Sequence, residues 1–442
     1  IFKSIKKLEA GHTLLYKNGD IQTRRYWDLP YIPKLKITEE EALKRTDALI
    51  DEAVRIRLTS EAPLGCFLSG GVDSSAVVAY MRRHIAGELK TFSIGFEEKS
   101  HNELPYARRV AQLFETNHQD FIVKPDAVDV LPKLVWHFDE PYADSSALPT
   151  YYLSKMTRQY AAVALNGDGG DESFIGYARY LGLPQLRKYM AIPKILRIAA
   201  QPFASALFKM LPNSALFEKL FYANTFSLYD EGRLYLQMMT IFRDYQKEAM
   251  YGDKMKPMAK TDAYQFPLQY YYDNLAEVPV ERKVRSDIMT YLPGALLPKV
   301  DRTAMANNLE GRSPFLDQKV MEYAAQLPIE IRFGNGALKY HLKKVLAPML
   351  PHDILWRKKQ GFGVPVGEWF KKDLYKMAKD ILLSEKARGR GYLKLKYVSK
   401  ILEDHRAGTQ NHHHRLWALL CLELWFMTFY DRSDISLGHI TL

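Results

Sequence analysis

The chain has 442 residues, 47% of them hydrophobic and 26% charged, with a formal net charge of +11. These totals exclude a disordered chain and allow two domains with sizeable cores. No run of 18 apolar residues occurs, so neither a membrane span nor a membrane partner is expected.

Two cysteines, Cys66 and Cys421, are too few for a disulfide framework and fit a reducing, cytoplasmic setting. The opening stretch IFKSIKKLEAGHTLL lacks the apolar core of a secretory signal. A surplus of basic residues suits nucleic acid, anionic small molecules or plain solubility. Here the positive residues are scattered rather than gathered, which argues against nucleic acid. The stretch IKKLEAGHTLLYKNGDIQTRRYWDLP (5–30) predicts two short strands joined at Asn18-Gly19-Asp20. A lone hairpin is marginal in water, so residues 1–35 are expected to close a domain of a larger protein. Thr38 and Glu41 form a capping-box pattern ahead of Leu43, Thr46, Leu49, Ile50, Ala53 and Val54 at helical spacing.

Strand and helix then alternate: strand 64–68, helix 74–84, strand 91–96, helix 103–114, strand 118–123, helices 126–138 and 148–158, strand 161–165. Parallel strands joined by helices predict an α/β fold, with an open, mainly parallel sheet and helices on both faces. From about residue 180 the sequence turns helical and irregular, rich in Tyr, Leu and Met. The expected layout is a nucleotide-binding α/β core over 36–180, a largely helical part over 181–430 that completes the site, and a tail over 431–442.

The candidate site lies where the first core strand ends. LGCFLSGGVDSS (64–75) passes from an apolar run into Ser69-Gly70-Gly71, an acid at Asp73 and the hydroxyls of Ser74 and Ser75. In open α/β sheets ligands sit at the carboxyl ends of strands, and a following helix N-terminus favours an anion. The turn has neither the lysine of a Walker A loop nor the spacing of a dinucleotide fingerprint. Asp73 would repel phosphate unless a divalent cation stood between them, as at Mg²⁺ sites. A second loop, Asn166-Gly167-Asp168-Gly169-Gly170-Asp171-Glu172, also follows a strand and mixes three carboxylates with three glycines. The two loops are expected to meet over one ligand, with Asp73 and Asp171 sharing one Mg²⁺. Three consecutive histidines, His412–His414, cannot all face one ion from a helix and are not read as a metal site.

LSGGVDSS resembles the pyrophosphate loop of the ATP pyrophosphatases, a group with the adenine nucleotide alpha-hydrolase-like fold. ALNGDGGDESFIGY resembles the second signature of the asparagine synthetase branch. TFSIGF (91–96), LPKVDRTAMANNLEGRSPFLD (297–317) and RKKQGFGVPVGEWF (357–370) match further, and residues 1–30 look like the end of that family's glutamine-hydrolysing domain. The resemblance runs from about residue 1 to 430. It implies a ligase that uses ATP and Mg²⁺ to adenylate a side-chain carboxylate, with L-aspartate first in line, and then joins it to ammonia drawn from glutamine by the glutaminase domain.

By the same resemblance Leu68, Ser69, Gly70, Gly71, Asp73, Ser74, Ser75, Ile94, Asn166 and Gly167 hold ATP, and Asp73 and Asp171 hold the metal. Lys359 steadies charge on the reacting phosphorus. Asp168 stands where the family carries a glutamate that deprotonates the attacking ammonium. A homodimer is compatible with the resemblance. An amidotransferase or cyclase acting on another carboxylate, or a tRNA-modifying pyrophosphate-loop enzyme, remains an alternative. Stretch 138–154 should face the substrate, and it offers Asp144 and Ser145 rather than an arginine. Arg302, Glu310, Arg312 and Asp317 either order the helices around the site and the ammonia path or form a buried structural ion-pair network.

Overall fold

A computed structural model describes residues 2, 4–96, 103–123, 127–211, 215–357, 363 and 365–431. Strands β1 (His12–Lys17) and β2 (Asp20–Arg25) pair antiparallel, from His12 opposite Arg25 to Lys17 opposite Asp20. Asn18 and Gly19 carry φ of 52° and 91°, the left-handed pair that a two-residue hairpin turn requires. Leu14, Leu15, Tyr16 and Ile21 of this hairpin are exposed. The chain is anchored just beyond it. Leu29 and Tyr31 are buried. Arg285, with no exposed side-chain surface, bonds both Asp28 oxygens at 2.9 Å and Asp273 at 2.6 Å.

Helix α1 (Glu39–Arg57) starts at the reciprocal cap expected between Thr38 and Glu41. The core that follows is a five-stranded parallel sheet in the order β5-β4-β3-β6-β7. Its strands are β3 (Leu64–Phe67), β4 (Lys90–Gly95), β5 (Asn117–Ile122), β6 (Val163–Leu165) and β7 (Glu310–Arg312). Side chains alternate across it, as the period of two demands. Cys66, Val163 and Leu165 pack with α1, α2 (Val72–His84) and α3 (Leu104–Leu113) on one face. Phe67, Phe92, Ile94 and Ala164 face the other, toward helices including Ala147–Thr157 and Leu297–Met305.

The expected core elements fall within two residues of the observed ones. Strand β7 is the one core strand that the sequence reading lacks. It is three residues long, reads Glu-Gly-Arg and has no apolar signal. Its place is set by backbone pairing to β6. Arg312 also bonds the carbonyls of Arg57 and Thr59, while Arg57 pairs with Asp317 at 2.9 Å. Arg312, Glu310 and Asp317 therefore act as ties between the sheet edge and α1. Arg302 is bound to Asp139 and to the carbonyl of His137.

Strand β3 has β4 on one side and β6 on the other, so successive crossovers leave it in opposite directions. That reversal opens a crevice above the carboxyl ends of β3 and β6. Helices α4 (Ala127–Phe138), α5 (Ala147–Thr157), α6 (Gly170–Ser173), α7 (Pro184–Met190), α8 (Lys194–Met210) and α9 (Ala215–Leu228) follow in chain order. Beyond them the chain stays mostly helical. One helical cluster is built around Trp417 and Phe370, another around Tyr31, Tyr180 and Tyr270.

Candidate active site

A cavity of about 860 Å³ fills the crevice. The glycine turn forms its floor. Gly70 has φ +70°, and a Cβ there would sit 2.5 Å from the backbone of Tyr106. The turn therefore lies directly on the start of α3, a close approach that a side chain forbids. Gly71 begins α2 without a side-chain cap, which leaves the first N–H groups of that 13-residue helix available to an anion. Ser69 and Ser74 hold the turn together: the Ser69 N–H donates to Ser74 Oγ at 3.2 Å, and the two hydroxyls lie 3.1 Å apart.

The second loop packs against the first through Gly167. A Cβ added there would fall 2.7 Å from Asp73 Cβ and 2.8 Å from the Ser74 nitrogen. Asn166 locks the strand end: its N–H donates to the Arg312 carbonyl, and its Oδ1 accepts from Ser313 Oγ at 2.6 Å and the Asp168 N–H at 3.1 Å. The two loops, about a hundred residues apart in the chain, share one wall.

Their carboxylates converge on one atom. Lys339 Nζ lies 2.7 Å from Asp171 Oδ1 and contacts Asp73 Oδ2 still more closely. Lys339 is 5% exposed, and its backbone is left-handed, with φ 56°, at the start of helix Tyr340–Leu346. Such a conformation in a residue with a side chain marks a position held by its surroundings. Burial disfavours the ammonium, but Asp171 and Asp73 outweigh it and hold the lysine charged, with its pKa raised. The site thus presents two oxygen-bearing carboxylates around a cation-sized position. That arrangement fits a hard divalent ion whose other ligands would be phosphate oxygens and water. Among the described residues no group of three or more His, Cys, Asp or Glu is arranged to hold a metal by itself.

Three more cations reach the cavity. Arg357, which opens the RKKQGFG stretch, pairs with Glu103 at 2.7 Å, lies over the Tyr106 ring and approaches Gly71. Lys343 lies beside it over Trp356; burial and Lys339 lower its pKa. Lys299 spans Asp144 at 3.4 Å and Ser146 Oγ at 3.0 Å. Burial works against the charge on Asp144, but Lys299 and two bonds from Ser146 prevail and hold its carboxyl below the usual range.

Two acids titrate the other way. Burial raises the pKa of Asp168; Lys299 opposes this, and Asp73 and Asp171 add to it. Glu172 is pushed up to about 7 by burial and Asp171, against a 2.6 Å bond from the Tyr177 hydroxyl.

Leu68, Ser69, Gly71, Asp73, Ser74, Ile94, Asn166, Gly167, Asp168 and Asp171 all line this cavity. Gly70 supports the turn from below, and Ser75 is fully buried inside α2. Lys359 lies outside the described residues.

The family model for asparagine synthase matches residues 45–427, most of the chain. The chain belongs to the asparagine synthase family. It is 30% identical over 423 residues to "Asparagine synthetase (glutamine-hydrolyzing) 1" of Bacillus subtilis, covering 95% of this chain and 65% of that protein. "Asparagine synthetase (glutamine-hydrolyzing) 3" of the same organism is 26% identical, over 82% of this chain and 55% of its own length. "Amidase chyE" of Penicillium rubens is 24% identical, over 89% and 63%. The chain therefore spans between 55% and 65% of the length of these three relatives.

Within this member of the asparagine synthase family, Lys339, Lys343 and Lys299 are the site residues that sequence reading missed. Lys299 lies within the matched stretch 297–317 but was not singled out there, Lys343 sits in an ordinary helix, and Lys339 stands at that helix's start with no motif of its own. Only the fold carries them to the crevice. The spacing signal that did exist was GNG at 334–336, a turn signal four residues before Tyr340.

Proposed function

We propose that the crevice binds ATP and that the protein is a ligase forming an amide at a side-chain carboxylate, L-aspartate first among the acceptors, to give asparagine. The observation that carries this reading is the meeting of Asp73 and Asp171 at one cation position beside an uncapped helix start. In this reading the backbone near Leu68, Ile94, Asn166 and Gly167 frames the adenosine. Ser69–Ser75 holds the β and γ phosphates, and Asp73 and Asp171 hold Mg²⁺. That ion would supply neutralising charge to the departing pyrophosphate.

The chain's own cations do the remaining work. Lys343 and Arg357 face the phosphates across the turn, and Lys359 serves the same charge where it grows on phosphorus. The substrate carboxylate attacks the α phosphorus, the α–β bond breaks, and an acyl-adenylate forms. Ammonia then displaces AMP. Asp168, whose carboxyl burial holds above its usual range, takes the proton from the attacking ammonium. Glu172 stands one turn of chain away with a pKa of about 7 and is the second candidate for that proton.

In the full-length protein a glutaminase domain would supply the ammonia, with residues 1–35 as its closing segment. Cys66 and Cys421 are both buried, and burial pushes both thiols up, so neither is a nucleophile for that step. A second reading keeps the chemistry and changes the acceptor, as Asp168 in place of the family's glutamate would permit.

The test supplies ATP, Mg²⁺, ammonia and a panel of carboxylic acids, and measures pyrophosphate release with each. Release that depends on aspartate and yields asparagine supports the first reading. Release with another acid alone moves the chain to the second. No release with any acid overturns both.

A further inference from the structure

Helices α8 and α9 pack side by side with their polarity reversed. Their shared seam is aromatic where Phe208 stacks on Phe221 at 4.7 Å and polar nearer the start of α8. Arg197, 6% exposed, donates to the carbonyls of Ile192 and Ser227. Asn224, also buried, donates to the Arg197 carbonyl at 3.0 Å and to Gln201, and Gln201 reaches Thr225 at 3.0 Å. A second set of apolar side chains points outward. Ile195 is 75% exposed, Phe203 70%, Met210 75% and Leu216 62%, with Leu196 and Ile198 beside them. Residues 195, 199, 203, 206 and 210 fall on one face, so the exposed stripe runs the length of α8. A helix pair in water normally hides such a stripe and shows its polar residues.

The charge around this face is mostly basic. Among the residues of 184–228 whose side chains are described, the bases are Lys188, Lys194, Arg197 and Lys219, and Glu218 is the one acid. Lys188, Lys194 and Lys219 are exposed. The outward surface thus offers apolar bulk and flexible ammonium groups, while the pair's amide and guanidinium groups are spent internally. Among the described residues no helix is long and apolar enough to cross a membrane. A long apolar stripe with a lysine rim suits lying flat in the headgroup region of a bilayer, where anionic lipids attract the rim.

We infer that α8 and α9 form a peripheral docking surface for an anionic lipid bilayer. The face is far in sequence from the site residues, and its role is independent of the ligase reading. It departs from the sequence expectation of no membrane partner, which rested on the absence of a long apolar run; an interfacial helix needs an apolar stripe, not such a run.

The test is flotation of the full chain with vesicles of phosphatidylcholine plus phosphatidylglycerol, against phosphatidylcholine alone. The expected result is at least about tenfold stronger binding to the anionic vesicles, weakened by salt. Ile195→Glu with Phe203→Glu should lose at least about tenfold while the unfolding midpoint stays put. An independent variant, Lys188→Glu with Lys194→Glu and Lys219→Glu, should erase the preference for anionic lipid. Absence of vesicle binding overturns the inference, as does binding that neither variant changes. A wild-type dimer that becomes monomeric in the Glu variants, without vesicle binding, also overturns it and assigns the face to a second copy.

Discussion

Replacing Lys339 by Met removes the ammonium that lies between Asp73 and Asp171. The lysine is 5% exposed and pairs with both acids, and the three side chains are largely withdrawn from water. Removing one partner of a buried ion pair costs about 3–5 kcal/mol, because the remaining charge stays buried without compensation. Here two carboxylates remain, facing the same point. Urea unfolding of Lys339→Met should therefore show a loss of about 3–5 kcal/mol. Asp73→Asn in the same chain should recover about 1 kcal/mol or more, since it removes one of the two stranded charges. Mg²⁺ without nucleotide should stabilise Lys339→Met more than wild type, because the cation position has been vacated. A loss below about 1 kcal/mol, or equal Mg²⁺ effects in the two proteins, would mean that the lysine does not occupy the place of a cation.

Gly167→Ala should abolish pyrophosphate release while far-ultraviolet circular dichroism is retained: its Cβ would be 2.8 Å from the Ser74 backbone nitrogen, which has no room to yield. Asp73→Asn should reduce turnover at least about a hundredfold without changing the unfolding midpoint by more than a few degrees, measured by pyrophosphate release and thermal melting. His341 is fully buried against the Thr46 hydroxyl at 2.7 Å, and burial lowers its pKa to about 4. The unfolded chain binds that proton near pH 6.5 and the folded one does not, so stability rises with pH between those values. About 2 kcal/mol from this group should be lost at about pH 5 relative to about pH 8; urea titrations should show a shallower pH slope for His341→Gln, and an unchanged slope would exclude this assignment. The chain alone should not hydrolyse glutamine, as a glutamate-release assay would show.

Much of the core was legible because its signals are local. Short strands bounded by glycines or caps announce themselves, and Thr38 with Glu41 marks a helix start without any tertiary information. The two glycine loops were equally visible, because an ordinary surface turn does not need several acids set among glycines at the end of a strand. What the sequence did not disclose depends on long-range packing. Strand β7 exists only because β6 has a free edge for Glu310–Arg312 to pair with. Lys339 lies 266 residues from Asp73, at the start of a helix whose period says nothing about carboxylates. Lys299 meets Asp144 across 155 residues. The outward stripe of α8 was invisible for the opposite reason: its spacing is that of an ordinary buried helix, and only the packing of α8 on α9 shows that this apolar side faces away.

Whether the two loops clamp a metal-bound triphosphate is decided by a crystal structure with Mg²⁺ and an ATP analogue whose α and β phosphates are joined by methylene. The phosphate tail should lie on Ser69–Ser75, with the metal between the carboxylates of Asp73 and Asp171 and Lys339 drawn off toward phosphate. A tail bound elsewhere, or a lysine still seated between the two acids with the nucleotide in place, would rule that clamp out.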